Sequence, residues 1–152
     1  MIRHLGRTLF GSAPIAPATD LAGKTAIVTG TSPGSIGFET AKTLAAWGAK
    51  VIITTRSNPD ATVQALVAAL TREGKAANIT GHTLDLTSAQ SVNTFAEWFQ
   101  ESAGNRLHIL INNAGIHLDL LSQWKEPTQT SDGFEIHWRT NYLGSAMLTH
   151  LL

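Results

Sequence analysis

The stretch Thr29-Gly30-Thr31-Ser32-Pro33-Gly34-Ser35-Ile36-Gly37 decides the fold of this chain. The apolar run 25–28 before it is typical of a buried strand, and the segment 38–45 after it has helical character. A glycine-rich turn between a strand and a helix lets backbone N–H groups approach a phosphate, and the helix dipole favours the anion. We therefore predict a dinucleotide site that includes Gly30, Ser32, Gly34, Ser35, Ile36 and Gly37. The alternative is an ordinary glycine-rich connection.

The composition narrows the class of protein. A chain of 152 residues has room for one domain with a substantial core. Eleven Lys and Arg balance eleven Asp and Glu, so nothing indicates a nucleic acid or an anionic membrane as partner. Cysteine is absent, which excludes disulfides and thiolate metal sites, and no apolar run reaches transmembrane length. We expect a soluble α/β domain in a reducing, cytoplasmic compartment.

The first twenty residues form a lead-in to a domain at 21–152. Arg3 and Arg7 occur there, and no acid precedes Asp20. An Arg-bearing, acid-free start is found in mitochondrial transit peptides, but Pro14 and Pro17 interrupt any helix. We favour a surface lead-in over a transit peptide.

Strand and helix patterns alternate along the chain, which is typical of parallel βαβ units. We predict strands at about 24–29, 50–55, 77–84 and 107–112. Asn58-Pro59 marks the start of the second helix, and Thr87 with Gln90 predicts a capping box for the third. A last helix is expected from about Asp132 to the end. The predicted fold class is a Rossmann-type, doubly wound parallel α/β sheet in the order 3-2-1-4, with helices on both faces.

Two motifs together resemble the short-chain dehydrogenase/reductase family. They are Thr29-Gly30 with Gly34, and Asn112-Asn113-Ala114-Gly115 further along. The segments 37–41 and 134–152 are similar to the retinol-dehydrogenase-like branch, and the resemblance covers roughly 20–152. The family usually has TGxxxGxG, whereas the third glycine here comes one residue late, so Ser35 looks like an insertion. The resemblance implies a nicotinamide dinucleotide and a small carbonyl or alcohol substrate.

Arg56 follows the second strand, about twenty residues beyond the glycine loop. An acid at this place would bind the adenosine ribose of NAD, whereas an arginine suits the 2′-phosphate of NADP. We therefore predict NADP rather than NAD as the cofactor. A solvated surface arginine is the alternative.

Asp85 ends the third predicted strand. The resemblance implies that it contacts the adenine amino group and that the backbone of Leu86 helps. A capping role for Asp85 is the alternative, which we disfavour because Thr87 is expected to cap the helix. At the end of the fourth strand, we expect Asn113, Ala114 and Gly115 to line the cofactor. Asn112 is expected to have a structural role.

Asn141 lies within the last predicted helix, where asparagine is unfavourable because it competes for backbone groups. The resemblance implies that it is the first member of an Asn-Ser-Tyr-Lys tetrad and holds a water of the proton relay. The alternative is a polar residue on a solvent face. Ala146, not lysine, stands four residues after the single tyrosine, Tyr142, so the YxxxK motif is absent.

The connection 115–130 is long enough to suggest a function. The resemblance implies that it lies near a substrate pocket. The alternative is a surface loop in which Trp124 packs against the domain. The six histidines are scattered, and we predict no metal site.

Three functional hypotheses remain open. The chain is the cofactor half of an NAD(P)-dependent oxidoreductase that acts on a carbonyl or alcohol, cut after about four strands and the following helix. Alternatively, it is a non-catalytic dinucleotide-binding module or regulator, or an inactive truncated gene product. We expect no turnover from this chain alone, because the catalytic serine and the YxxxK motif are missing. The resemblance also implies a homodimer of the full-length form through the last helix.

Overall fold

A computed structural model describes residues 16–102, 106–117 and 127–152. Arg3, Arg7, Pro14 and Trp124 lie outside these ranges. The elements, in chain order, are β1 (Thr25–Thr29), α1 (Ile36–Ala46), β2 (Lys50–Thr55), α2 (Pro59–Arg72), β3 (Ile79–Thr83), α3 (Ala89–Ser102), β4 (Ile109–Ile111), α4 (Ile136–Trp138), a π-helix (Arg139–Gly144) and α5 (Ser145–Leu151). No helix in these ranges combines the length and the hydropathy needed to cross a membrane.

The four strands form one parallel sheet in the order β3-β2-β1-β4, which confirms the predicted topology. Ile27 of the central strand β1 is in register with Ile52 of β2 and Leu110 of β4. Every residue of β1 is buried, as expected for an inner strand of a sheet covered on both faces. Because all four strands run the same way, the loops at their carboxyl ends meet at one edge.

Helices cover both faces of the sheet, as predicted. On one face, α1 and α2 pack on Ala26 and Val28 of β1. On the other face, α3 and α5 pack on Ile27 and Ile52, with Phe95, Phe99 and Leu148 fully buried among them. Successive residues of a strand point to opposite faces, so β1 contributes to both clusters.

Side-chain caps define where the helices begin. Asn58 accepts a hydrogen bond from the Ala61 N–H at 3.2 Å and caps α2, as predicted. The predicted capping box of Thr87 and Gln90 is wrong. Ser88 caps α3 by accepting a hydrogen bond from the Ser91 N–H at 3.2 Å, because the helix begins one residue later than the sequence pattern suggested.

The last helix begins at Ile136 rather than at Asp132. Residues 130–134 form a turn in which Gly133 donates to the Thr130 carbonyl at 2.9 Å, and Gly133 has a φ of +82°. This turn delays the helix by four residues. The strands β3 and β4 are also shorter than predicted, by two residues at the amino end and one at the carboxyl end of each.

Glu135 caps the start of α4. Its Oε2 accepts a hydrogen bond from the Trp138 N–H at 2.8 Å, and its Oε1 lies 2.6 Å from Nδ1 of His137. The Trp138 N–H, followed by the backbone and the ring of His137, lowers the pKa of Glu135 from 4.5 to about 2. The ionised carboxylate is therefore favoured in the folded state.

Because the folded-state pKa of Glu135 is depressed, its contribution to stability is present above pH 4.5 and is lost as the pH falls toward about 2. We predict that Glu135→Gln makes the free energy of unfolding fall less steeply across this window than in the wild type. Urea unfolding at a series of pH values measures this, with the exposed Glu97→Gln on α3 as a control for loss of one carboxylate. An unchanged acid dependence in Glu135→Gln would contradict the prediction.

Candidate functional site

A cleft of about 360 Å³ lies at the carboxyl edge of the sheet, where the loops after all four strands meet the π-helix. In open parallel α/β sheets, ligands bind at this edge. Ten predicted site residues line the cleft, namely Gly30, Ser32, Ser35, Ile36, Arg56, Asp85, Leu86, Asn113, Ala114 and Gly115.

Two predicted cofactor residues, Gly34 and Gly37, do not line this cleft. Gly37 lies in the first turn of α1, where an added Cβ would approach Nδ2 of Asn113 to 2.5 Å and the Gly30 carbonyl oxygen to 2.7 Å. Its role is therefore close packing of the helix against the loops. Gly34 has a φ of +80° in a turn closed by the hydrogen bond from the Ser35 N–H to the Ser32 carbonyl, and it borders a second groove on α1.

Ser35 shows how the glycine loop absorbs its additional residue. The Ser35 hydroxyl accepts a hydrogen bond from the Phe38 N–H at 3.1 Å and donates to the Gly30 carbonyl at 3.4 Å. It is thus both the N-cap of α1 and a brace for the loop. The N–H groups of Ile36 and Gly37 form no hydrogen bond with any described residue, so the first turn keeps two donors at the rim of the cleft.

Thr29 joins the loop after β1 to the loop after β4. Its buried hydroxyl accepts hydrogen bonds from the N–H groups of Asn113 at 3.0 Å and Ala114 at 2.9 Å, and donates to the Ile111 carbonyl at 3.3 Å. Sequence reasoning assigned Thr29 to a motif without giving it this role. The available signal was a hydroxyl at the carboxyl end of β1, directly after the apolar residues 26–28.

Asn113 completes this junction, although it was predicted to line the cofactor. Its Nδ2 donates to the carbonyls of Thr29 at 2.8 Å and Gly30 at 3.0 Å. Asn113 therefore lines the cleft and also holds two strand ends together. Asn112 donates from Nδ2 to the Thr149 hydroxyl at 3.0 Å, a contact that suits its predicted structural role.

We predict that Thr29→Val destabilises the fold by about 2–4 kcal/mol, because two partly buried N–H groups lose their acceptor. Thr29→Ser keeps the hydroxyl and is expected to lose much less. The matched control is Thr25→Val, which removes a hydroxyl from the other end of β1. Chemical denaturation of the three variants compares their free energies of unfolding; equal losses in Thr29→Val and Thr25→Val would contradict a special role for Thr29.

The loops after β2 and β3 form the opposite side of the cleft. Arg56 is exposed and forms no ion pair with a described residue. Oδ1 of Asp85 accepts hydrogen bonds from the N–H of Thr87 at 2.9 Å and from its hydroxyl at 2.8 Å. Ser88 caps α3. The expectation that Thr87 caps this helix was therefore wrong, and the alternative capping role of Asp85 is not observed either.

Asn141 lies in the π-helix and is bound to the loop after β4. Its Oδ1 accepts from the Ile116 N–H at 2.8 Å, and its Nδ2 donates to the Ile116 carbonyl at 2.9 Å. Asn141 is exposed, as the alternative of a polar residue on a solvent face has it, and its side chain is also fixed to the loop after β4 by these two hydrogen bonds. π-helical turns are rare in proteins, and those that do occur are often found at functional sites. This one includes Asn141, the residue that was expected to compete for the backbone groups of the helix.

Five further residues line the cleft that sequence reasoning did not predict, namely Thr54, Thr55, Leu84, Ile116 and Thr140. Four of them adjoin a predicted site residue and Thr54 lies two residues before Arg56, so proximity in sequence was the available signal. Thr140 differs from the others because its buried hydroxyl has no hydrogen-bond partner among the described residues. A buried polar group without a partner is costly, and a ligand in the cleft is one way to satisfy it.

Two other observations concern the chemistry of the site. Tyr142 is 57% exposed and stacks on Trp138 with a ring separation of 4.5 Å, and it is not part of the cleft lining. Within 16–102, 106–117 and 127–152, no three His, Asp or Glu side chains are grouped so that they could hold a metal ion.

The family model for short chain dehydrogenase matches residues 24–152. The chain belongs to this family. Retinol dehydrogenase 12 of Bos taurus is 37% identical over 146 residues, which are 96% of this chain and 43% of that protein. WW domain-containing oxidoreductase of Gallus gallus is 41% identical over 140 residues, 91% of this chain and 31% of that protein. The predicted resemblance to the retinol-dehydrogenase-like branch is confirmed.

The solved structures agree with the fold. A metagenomic short-chain oxidoreductase in complex with NADP superposes with a TM-score of 0.67 at 26% identity, covering 87% of this chain and 56% of that one. The chain spans less than half the length of the curated relatives named above.

Proposed function

We propose that this chain binds NADP and forms the cofactor-binding part of an oxidoreductase acting on a carbonyl or alcohol substrate. One observation carries the proposal: the cleft joins the open first turn of α1 to the free cation of Arg56. Family membership and the NADP complex of the metagenomic relative support it. NAD is the less favoured cofactor, because the segment 54–57 at the end of β2 contains an arginine and no acid to accept hydrogen bonds from its ribose.

The residues of the cleft fit a dinucleotide phosphate. The N–H groups of Ile36 and Gly37 would hold the pyrophosphate, where the dipole of α1 favours an anion. Arg56 would hold the 2′-phosphate as a charge-assisted partner. Asp85, together with the backbone of Leu86, would contact the adenine. The unpartnered hydroxyl of Thr140 offers one more hydrogen bond to the bound molecule.

When bound, the nicotinamide ring would supply or accept a hydride. The chain's own contribution is to bind and orient this ring and to hold water near it. The side-chain amide of Asn141 donates one N–H to Ile116 and accepts one hydrogen bond from it. The second N–H and the second lone pair of the amide can therefore bind a water of the proton relay. This role follows the resemblance to the family tetrad.

A second candidate function is a dinucleotide-binding module without turnover. It is favoured by Tyr142, the single tyrosine, which stacks on Trp138 outside the cleft lining. Because no turnover is expected from this chain alone under either function, the discriminating observation is the coding sequence directly downstream of the Leu152 codon. An open frame there that encodes a serine and a YxxxK motif would favour the oxidoreductase, whereas NADPH binding without such a frame would favour the module.

We predict that Arg56→Ala weakens NADPH binding by about 1.5–3 kcal/mol and leaves NADH binding nearly unchanged, because only NADPH carries the 2′-phosphate. Fluorescence titration of both cofactors against both variants measures this. Arg72→Ala removes the same charge from the end of α2 and serves as the matched control. Equal losses for NADPH and NADH in Arg56→Ala would remove Arg56 from the 2′-phosphate site.

We also predict that Thr140→Val keeps or raises the free energy of unfolding of the ligand-free chain, because the deleted hydroxyl has no hydrogen-bond partner within 16–102, 106–117 and 127–152. NADPH binding should weaken by about 0.5–1.5 kcal/mol, the value of one neutral hydrogen bond. Thr140→Ser should retain the affinity. Denaturation and titration of both variants test this, and a stability loss with unchanged affinity would show that the hydroxyl acts within the protein.

A further inference from the structure

Arg139 is a buried cation at the start of the π-helix, beside the cleft. Its side chain is 3% exposed, and its Nε donates to Oδ2 of Asp132 at 2.7 Å. Its Nη1 donates to the carbonyl of Leu86 at 2.9 Å. The guanidinium therefore links the turn before α4 to the loop after β3.

Leu86, which receives this hydrogen bond, lines the cleft beside Asp85. The same π-helix holds Leu86 a second time at its other end. Gly144 packs so closely that an added Cβ would lie 2.7 Å from Leu86 Cβ and closer still to its carbonyl oxygen. Leu86 is thus held by the first and the last residue of one helical segment.

The π-helix also holds the other side of the cleft. Asn141, two residues after Arg139, binds both backbone groups of Ile116 in the loop after β4. One short segment therefore fixes the loops at the ends of β3 and β4. Thr140, between the two anchoring residues, lines the cleft itself.

Stability alone does not account for Arg139. A buried ion pair generally stabilises a fold no better than well-packed apolar residues of similar volume. The carboxylate of Asp132 is held in place opposite Arg139, since it also accepts a hydrogen bond from the Thr130 hydroxyl. That hydrogen bond, followed by the one from Arg139, lowers the pKa of Asp132, so the carboxylate stays charged opposite the guanidinium.

We propose that Arg139, oriented by Asp132, is a positioning residue that fixes the place of Leu86 in the lining of the cleft. By fixing Leu86, it determines the affinity for the adenosine end of the dinucleotide. Arg139 acts through Leu86. The proposal rests on the proposed function for its ligand, whereas its effect on the loop is independent of any ligand.

The experiment compares Arg139→Met with the wild type in the full 152-residue chain. The dissociation constants of NADPH and of adenosine 2′,5′-bisphosphate should rise about tenfold, the effect of losing a charged hydrogen bond that positions a binding wall. In the ligand-free chain, the amide proton of Thr87, which bonds Oδ1 of Asp85, should exchange faster than in the wild type. The amide of Ile27 in the central strand should not change, which distinguishes loop positioning from general destabilisation.

Lys42→Met is the matched control. Lys42 also pairs with carboxylates, at 2.8 Å from Glu39 and 3.4 Å from Glu73, but it joins α1 to the end of α2 and does not line the cleft. It should leave the Thr87 exchange rate and both dissociation constants unchanged. Asp132→Asn should give a smaller rise in all three quantities, and combining it with Arg139→Met should add nothing, because Asp132 acts through Arg139.

A folded Arg139→Met chain in which either the Thr87 exchange rate or the NADPH dissociation constant stays within twofold of the wild type overturns the proposal. If Arg139→Met does not fold, Asp132→Asn is measured instead. An unchanged Thr87 exchange rate and unchanged dissociation constants in Asp132→Asn then overturn the proposal. Should the wild type not bind NADPH, the proposed function fails, while the Thr87 exchange rate still decides whether Arg139 positions this loop.

Discussion

The cleft depends on the close approach of the loops that follow β1 and β4. A Cβ at Gly30 would lie 2.7 Å from Cα of Ala114, so this approach requires glycine. The buried hydroxyl of Thr29 and the amide of Asn113 then satisfy the backbone groups that the approach removes from water. Without this junction, the open turn of α1 and the Asn113–Gly115 turn would not border the same cavity.

The π-helix has the corresponding role on the far side of the cleft. Its irregular turn allows Arg139 and Asn141 to reach Leu86 and Ile116, which belong to loops after different strands. The two anchors differ in chemistry, since one is a buried cation and the other a neutral amide bound in two places. The geometry of the cleft is therefore set by tertiary hydrogen bonds rather than by the strands alone.

Some expectations failed where local pattern and tertiary geometry disagree. Thr87 with Gln90 fits a capping box, but Thr87 instead donates twice to Asp85, and the helix begins after Ser88. Other roles could not be read from the sequence at all. Gly37, which remains a predicted cofactor contact, also makes room for Asn113 through its missing side chain. Ser35, predicted both as an insertion and as a site residue, also caps α1 with its hydroxyl.

The sequence by itself determined the parallel sheet, its strand order and the edge at which the site lies. Alternating buried strands and amphipathic helices leave few arrangements that bury every apolar face, and the glycine loop marks the edge. Only the tertiary structure decided the roles of Thr29, Thr140 and Arg139. The partners of the Thr29 hydroxyl lie 82 to 85 residues away, and the carbonyl to which Arg139 donates lies 53 residues away, separations at which a one-dimensional pattern carries no signal. The Thr140 hydroxyl has no hydrogen-bond partner among the described residues, which only the packed structure reveals.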